Sequence, residues 1–405
     1  MNTVLERFLR YAALDTQSED DREPIPSTDR QFDLARILAK ELEEIGASNV
    51  ELDEHCYIYA EVPGNLPGAP SLAFIAHMDT APIDYHGAPK PRIVENYPGG
   101  PIVLSQEETI WPKTSPELEQ YIGQDIIVTD GTTLLGADDK AGVAEIMALA
   151  HHLLNHPEIP HGRIAICFTP DEEVGRGAEL LRLDRLGADF GYTVDGGGLG
   201  EIEYMNFNAA SAKVKIKGVD VHPGTAKGTM LNALQVAWAF HGMLPPEQRP
   251  EHTEGFEGFF HLMHLEGSAA EASMAYLIRE HDDEKFEARK ELMRSAAAYI
   301  NQRYGDVLTL ELKDSYRNMA KAMQPHMHLV DTACEALSAC GVEPMVVPIR
   351  GGTDGVALTF RGLPCPNLCT GGHNFHSRLE YIPVQSLEKM VAILLKLVEL
   401  TYAKG

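Results

Sequence analysis

Five side chains able to ligate a metal stand at the ends of apolar runs in this 405-residue chain: His77, Asp138, Glu173, Asp195 and His376. Glu172 precedes Glu173 directly. Two imidazoles, a carboxylate whose oxygens can be shared, terminal carboxylates and a spare acid to carry protons form the inventory of a two-metal hydrolase. Each position is ambiguous alone. His77 and Asp79 end the run AFIA and share one face of an extended strand, so Asp79 can accept the N–H of a ligating imidazole. A lone strand-end histidine is nonetheless more often structural. Asp138 and Asp139 fall between an apolar run and a helix; one can cap that helix while the other bridges two cations. Asp171, Glu172 and Glu173 follow ICFTP, and three adjacent acids repel one another unless a cation sits among them. One of the glutamates can ligate while its neighbour acts as general base. Asp195 ends YTV before three glycines, and His376 lies in a glycine-rich turn.

These residues need a scaffold that gathers strand ends. Helical spacing predicts a helix over 29–45, then strands at 49–54, 57–62 and 71–76. A helix beginning near Ala141 and closed by Pro157 precedes short, wholly apolar strands at 164–168 and 192–194. Alternating strands and helices imply an α/β domain with a mainly parallel sheet, and open sheets of this kind bind ligands beyond their strand ends. Residues 81–125 are too long for an idle loop and are expected to hold short strands and part of the site rim. From about residue 208 the order becomes β-α-β-β-α-β, with strands at 212–219, 258–266, 272–280 and 306–314 and helices at 229–243 and 282–303. That is the order of a ferredoxin-like α+β domain. The α/β texture returns after about residue 320, with a helix at 328–339 and strands near 345–349 and 366–370. The expected organisation is a discontinuous catalytic domain, 1–207 and 320–405, interrupted by a lid over 208–319.

The formal charge of −26 argues against nucleic acid and against anionic membrane surfaces, and is compatible with an acidic site that collects divalent cations. The N-terminal segment reads as an amphipathic helix with Val4, Leu5, Phe8, Leu9 and Ala12 on one face, unlike the continuous apolar core of a signal peptide. There is no apolar run of about 18 residues to span a membrane. Six scattered cysteines, without a CxxC pair, suggest a reducing cytoplasm. Cys365 and Cys369 are expected to be small buried residues rather than ligands.

The segments HMDT (77–80), LLGADDKAG (134–142), FTPDEEVGRGA (168–178), YTVDGGG (192–198), VHPGTAKG (221–228), RGGTDG (350–355) and GGHNFH (371–376) together resemble the M20 family of co-catalytic zinc peptidases. The likeness runs from residue 5 almost to the C-terminus and is strongest to the family's tripeptide aminopeptidases. It implies two Zn2+ per subunit, with Mn2+ or Co2+ as substitutes. On it, His77 and Asp195 correspond to the ligands of one ion, Glu173 and His376 to those of the other, and Asp138 to the bridging ligand. Glu172 corresponds to the general base and Asp79 to the acid that orients the histidine. His222 corresponds to a lid residue brought towards the reacting carbonyl, and Arg279 and Arg350 to basic positions that hold the substrate's carboxylate. A homodimer through the lid, with hinges near 205–211 and 315–322, is implied as well. The chain departs from this branch after His376, reading SRLEYIP where GKHE is usual.

The substrate expected is a short peptide with a free N-terminus. The same metal core would also serve a dipeptidase, an N-acyl amino acid deacylase or a desuccinylase. A non-catalytic metal or peptide binder would need the ligands but not Glu172, Asp79 or His222.

Overall fold

Residues 72–77 and 164–169 offer no polar face, so as strands they must be covered on both sides. The computed structural model, which describes residues 3–83, 85 and 87–403, places them side by side and parallel at the centre of an eight-stranded sheet. Its strand order is Ser48–Leu52, Ile58–Val62, Ile164–Thr169, Leu72–His77, Phe190–Gly196, Asn367–Cys369, Glu201–Glu203, Met345–Val346. The four strands 164–169, 72–77, 190–196 and 367–369 are mutually parallel, so their C-terminal ends share one edge. The sheet is mixed at its flanks, where 58–62 and 201–203 pair antiparallel.

The helix Ala137–Asn155 packs on this sheet. Regular helical backbone starts at Lys140, because Asp138 (ψ 106°) and Asp139 (ψ 31°) are not helical. Gly142 permits the close approach: a Cβ there would lie 1.9 Å from the carbonyl oxygen of Val194. The helix Gln31–Ile45 ends at Gly46, whose φ of +93° is the left-handed stop that glycine tolerates. The helix Val4–Ala12 departs from the expected amphipathic face. Arg7 and Tyr11 are buried with Val4, Phe8 and Ala12, whereas Leu5 and Leu9 are half-exposed. The reason is Glu41: Arg7 Nε and Tyr11 OH each donate to its carboxylate at 2.7 Å.

Residues 81–125 contain the short strands Arg92–Val94, Ile102–Val103 and Thr109–Ile110 and a 3-10 turn Pro116–Tyr121; Asp84 and His86 lie outside the described residues. Strand 92–94 pairs with Ile126–Val128, which pairs in turn with Ile382–Pro383. All six cysteines are unpaired; Cys365 and Cys369 are buried. Among the described residues no helix is long and apolar enough to cross a membrane.

The chain divides into two units, Met1–Tyr204 with Ala322–Val347 and Thr353–Gly405, and Met205–Lys321 with Pro348–Gly352. The second unit is a four-stranded antiparallel sheet in the order Phe259–Gly267, Glu271–Glu280, Asn208–Lys217, Leu308–Tyr316. With helices Ala233–His241 and Asp283–Tyr304, this is the β-α-β-β-α-β ferredoxin-like arrangement. Alternate residues of strand 271–280 (Ala272, Met274, Tyr276, Ile278) enter its core with Phe240, Phe286 and Met293.

Candidate metal centre

Asp138 presents one carboxylate oxygen to each of two imidazoles. Its Oδ1 lies 2.9 Å from His77 Nε2 and its Oδ2 lies 3.1 Å from His376 Nε2. On the His77 side Asp195 Oδ1 approaches the same nitrogen at 3.3 Å. On the His376 side Glu173 Oε2 lies 2.8 Å from Nε2. Two donor sets, His77–Asp195 and His376–Glu173, thus share the Asp138 carboxylate. Ligand atoms of His77, Glu172 and Asp195 also lie within 4.8 Å of one another, as do those of His77, Asp138 and Glu173.

Each donor is aimed by the edge that carries it. His77 Nδ1 faces two acceptors, the Asp79 carbonyl at 3.0 Å and its carboxylate at 3.4 Å, so Nδ1 carries a proton and Nε2 is the nitrogen turned to the cluster. The fully buried Asp79 carboxylate also accepts the backbone N–H groups of Glu172 (3.0 Å) and Glu173 (3.2 Å). It therefore fixes the glutamate turn as well as the histidine. Asp139 turns away from the donors: Oδ2 accepts the His77 N–H and Oδ1 the Gly142 N–H. Asp171, held at φ +55°, accepts from Ser27 N, Ser27 Oγ and Gln31 Nε2 and anchors the other end of the glutamate turn. Asn367 Oδ1 takes the Asp195 N–H at 3.1 Å while its amide donates to Glu203 at 2.7 Å. Asp354 accepts from Thr169 Oγ1, and a Cβ on Gly177 would collide with it.

Electrostatics agree with the need for cations. Burial, then the charge of Asp195, pushes the Glu172 carboxyl well above its ordinary value. Burial and neighbouring acids raise Glu173 and Asp195 each to about 7. Burial alone would lower His77, but Asp195, Asp138 and Asp79 drive it well above 6.5. Hydrogen bonds to Asp138 and Glu173 raise His376 to about 11. Glu173 Oε1 is buried and has no hydrogen-bond partner. Nitrogen and oxygen donors of this number, with that orphaned oxygen among them, fit divalent ions; among the described residues no sulfur joins these groups.

The SRLEYIP departure is local. Ser377 Oγ accepts the Leu379 N–H, and the segment doubles back so that His373 and Tyr381 exchange backbone hydrogen bonds at 2.9 and 3.1 Å. The turn is braced by the 81–125 region: Tyr121 OH lies 2.7 Å from His373 Nε2, and Asn374 Nδ2 donates to Ser115 Oγ.

Sequence reasoning passed over Glu203, Asn367, Asp354 and Glu380, whose partners are backbone N–H groups, an amide and a hydroxyl. The acid surviving within an otherwise divergent SRLEYIP was the available signal for Glu380.

His222, Arg279 and Arg350 all belong to the second unit. Exposed His222 accepts the Gly224 N–H at Nδ1, which leaves the proton on Nε2. The Arg279 guanidinium lies over the Tyr316 ring at 5.3 Å and donates to the Ile278 carbonyl at 3.4 Å. Arg350 is more committed: Nη1 donates to the Gly255 and Glu257 carbonyls, and Nη2 to the Thr253 carbonyl and hydroxyl.

Comparison with known proteins agrees along the whole chain. Peptidase T of Caldanaerobacter subterraneus subsp. tengcongensis is 52% identical over 409 residues, covering 100% of both chains. Peptidase T of Halothermothrix orenii is 53% identical with the same coverage. The crystal structure of aminopeptidase PepT from Bacillus cereus superposes with a TM-score of 0.79 at 23% identity, covering 99% of this chain and 98% of that one. A dinuclear metal-binding peptidase of Bacillus subtilis has a TM-score of 0.68 at 15% identity, covering 98% and 96%; these two likenesses concern the fold. Residues 128–400 match peptidase family M20/M25/M40, and the chain belongs to that family.

Proposed function

We propose that this chain is a two-metal aminopeptidase that releases the N-terminal residue of tripeptides. The observation that carries the reading is the Asp138 carboxylate offered to two imidazoles, each with its own terminal acid, beside Glu172. His77, Asp195 and Asp138 would hold one ion, and Asp138, Glu173 and His376 the other. Bound there, Zn2+ would supply the Lewis acidity that acidifies water and polarises a carbonyl. Glu172 accepts the proton of the attacking water and passes it to the departing amine. Asp79 keeps the Glu172–Glu173 turn and the His77 ring in register. His222 donates from Nε2 to the oxygen on which negative charge develops. Arg279, with most of its donors uncommitted among the described interactions, holds the tripeptide's C-terminal carboxylate. Arg350 spends its terminal nitrogens on the 253–257 loop and shapes that loop in support. The lid role of the second unit, a homodimer through it and a cytoplasmic location belong to the same reading.

The test is metal analysis of the purified chain together with hydrolysis of a free tripeptide, its N-acetylated form, a dipeptide and a tetrapeptide. Two bound ions and preference for the free tripeptide are expected. Preference for the acetylated peptide would make the chain a deacylase, and metal binding without any hydrolysis would make it a binder.

A further inference from the structure

Glu380 lies four residues beyond His376 and is 1% exposed. Its carboxylate accepts three backbone N–H groups from one loop: Leu135 and Gly136 at Oε2, both at 2.7 Å, and Asp138 at Oε1, at 3.0 Å. Gly136 takes a left-handed φ of +77°, and a Cβ there would press on Thr80 and Lys140. The loop that delivers Asp138 is therefore irregular, and its donors have Glu380 as their acceptor. The same short segment supplies His376, at φ +56°, facing the other end of Asp138. One segment thus grips Asp138 twice, by backbone through Glu380 and by side chain through His376.

The His77–Asp195 half is held by other means. Asp139 fixes the His77 backbone and Asn367 that of Asp195. Asp79 and Asp138 serve both halves of the cluster, whereas the Glu380 clasp lies on the Asp138–His376 side.

We propose that Glu380 is a positioning residue that sets the spacing of Asp138 and His376 and so determines affinity for the second ion, the one held by Asp138, Glu173 and His376. This rests on the two-metal reading above. Glu380 touches none of the reacting atoms. Its amide analogue cannot accept at both atoms, because the –NH2 would face backbone N–H donors.

The experiment titrates Zn2+ into the metal-free full chain by calorimetry, for wild type and Glu380→Gln, with circular dichroism to check the fold. We expect one ion to bind as in wild type and the other to lose about 10–100-fold in affinity. At subsaturating metal kcat should fall while KM stays within about twofold, and excess Zn2+ should restore kcat. Unchanged affinity for both ions would overturn the proposal, as would an equal loss at both. Should Glu380→Gln not fold, Glu380→Asp keeps the charge but retracts it, and must weaken the second ion selectively; a variant that fails to fold there too would make Glu380 a support of the whole unit and end the proposal. The outcome is separable from the proposed activity: two ions bound by a wild type that cleaves no peptide would defeat the peptidase reading and leave the clasp standing.

Discussion

Two groups of buried acids in the same unit have opposite charge balances. At the sheet edge Asp79, Asp138, Glu172, Glu173, Asp195 and Asp354 gather around two imidazoles, His77 and His376. Near the N-terminus a single carboxylate, Glu41, receives Arg7, Arg10 and Tyr11. Glu41 is oversupplied with donors, and the sheet edge is short of positive charge. A buried anion without a cation costs several kcal/mol, so the sheet edge is stable at neutral pH only by taking up protons or dications. The Glu41 group is complete without any ligand, which marks it as structure.

Removing metal is the largest perturbation that separates the two. A chelator should abolish peptide hydrolysis and lower the thermal midpoint, since each ion bound at about 100 times its Kd contributes about 2.7 kcal/mol. Added Zn2+ should restore both. A chelated protein with unchanged midpoint and activity would mean that the sheet edge is, like Glu41, self-sufficient.

Glu172→Gln perturbs the same edge without removing a donor from either proposed set. Turnover should fall about 100- to 10,000-fold, the range for a general acid–base group, with two ions still bound by elemental analysis. Loss of an ion together with turnover would instead make Glu172 a ligand, an arrangement its closeness to His77 and Asp195 leaves geometrically open.

The contrast also explains what the sequence could tell. The acid-tipped apolar runs were legible because a doubly covered parallel strand has no polar residue until it emerges, and the emerging residue is where ligands bind. The second unit was legible because its strands alternate and its helices repeat, each pattern tied to a local period. The N-terminal helix was misjudged at Leu5 and Leu9 for the converse reason. Hydrophobic periodicity reads affinity for water, and it gave no warning that Arg7 and Tyr11 find an acid 34 and 30 residues away. Glu380, Asn367 and Glu203 were hidden likewise, because a side chain that serves a distant backbone N–H has no sequence period. The start of the helix at Lys140, later than the acidic pair, follows from the irregular turn that lets Asp138 face the imidazoles while Asp139 faces backbone.

Glu41→Gln should have the smallest effect on turnover, and it tests the other half of the comparison. Burial would raise the Glu41 pKa, yet hydrogen bonds from Tyr11 and Arg7 and the charges of Arg7 and Arg10 hold it below its ordinary 4.5. A depressed carboxylate pKa contributes stability that is present above the unfolded value and is lost as pH falls through the folded one. The amide cannot ionise, so the variant lacks this contribution at every pH. It also leaves a guanidinium or phenol donor poorly matched, at a cost of about 1–3 kcal/mol at neutral pH. Urea unfolding of metal-free wild type and variant at pH 7, 5 and 3 should give a difference that is full at the first, nearly full at the second and reduced at the third. Using metal-free protein keeps ion release out of the comparison, and contributions from the distant sheet edge cancel in the difference. A gap that persists undiminished at pH 3 would show that Glu41 acts through packing alone, and the contrast between a charge-complete cluster and a charge-deficient one would then rest on the sheet edge only.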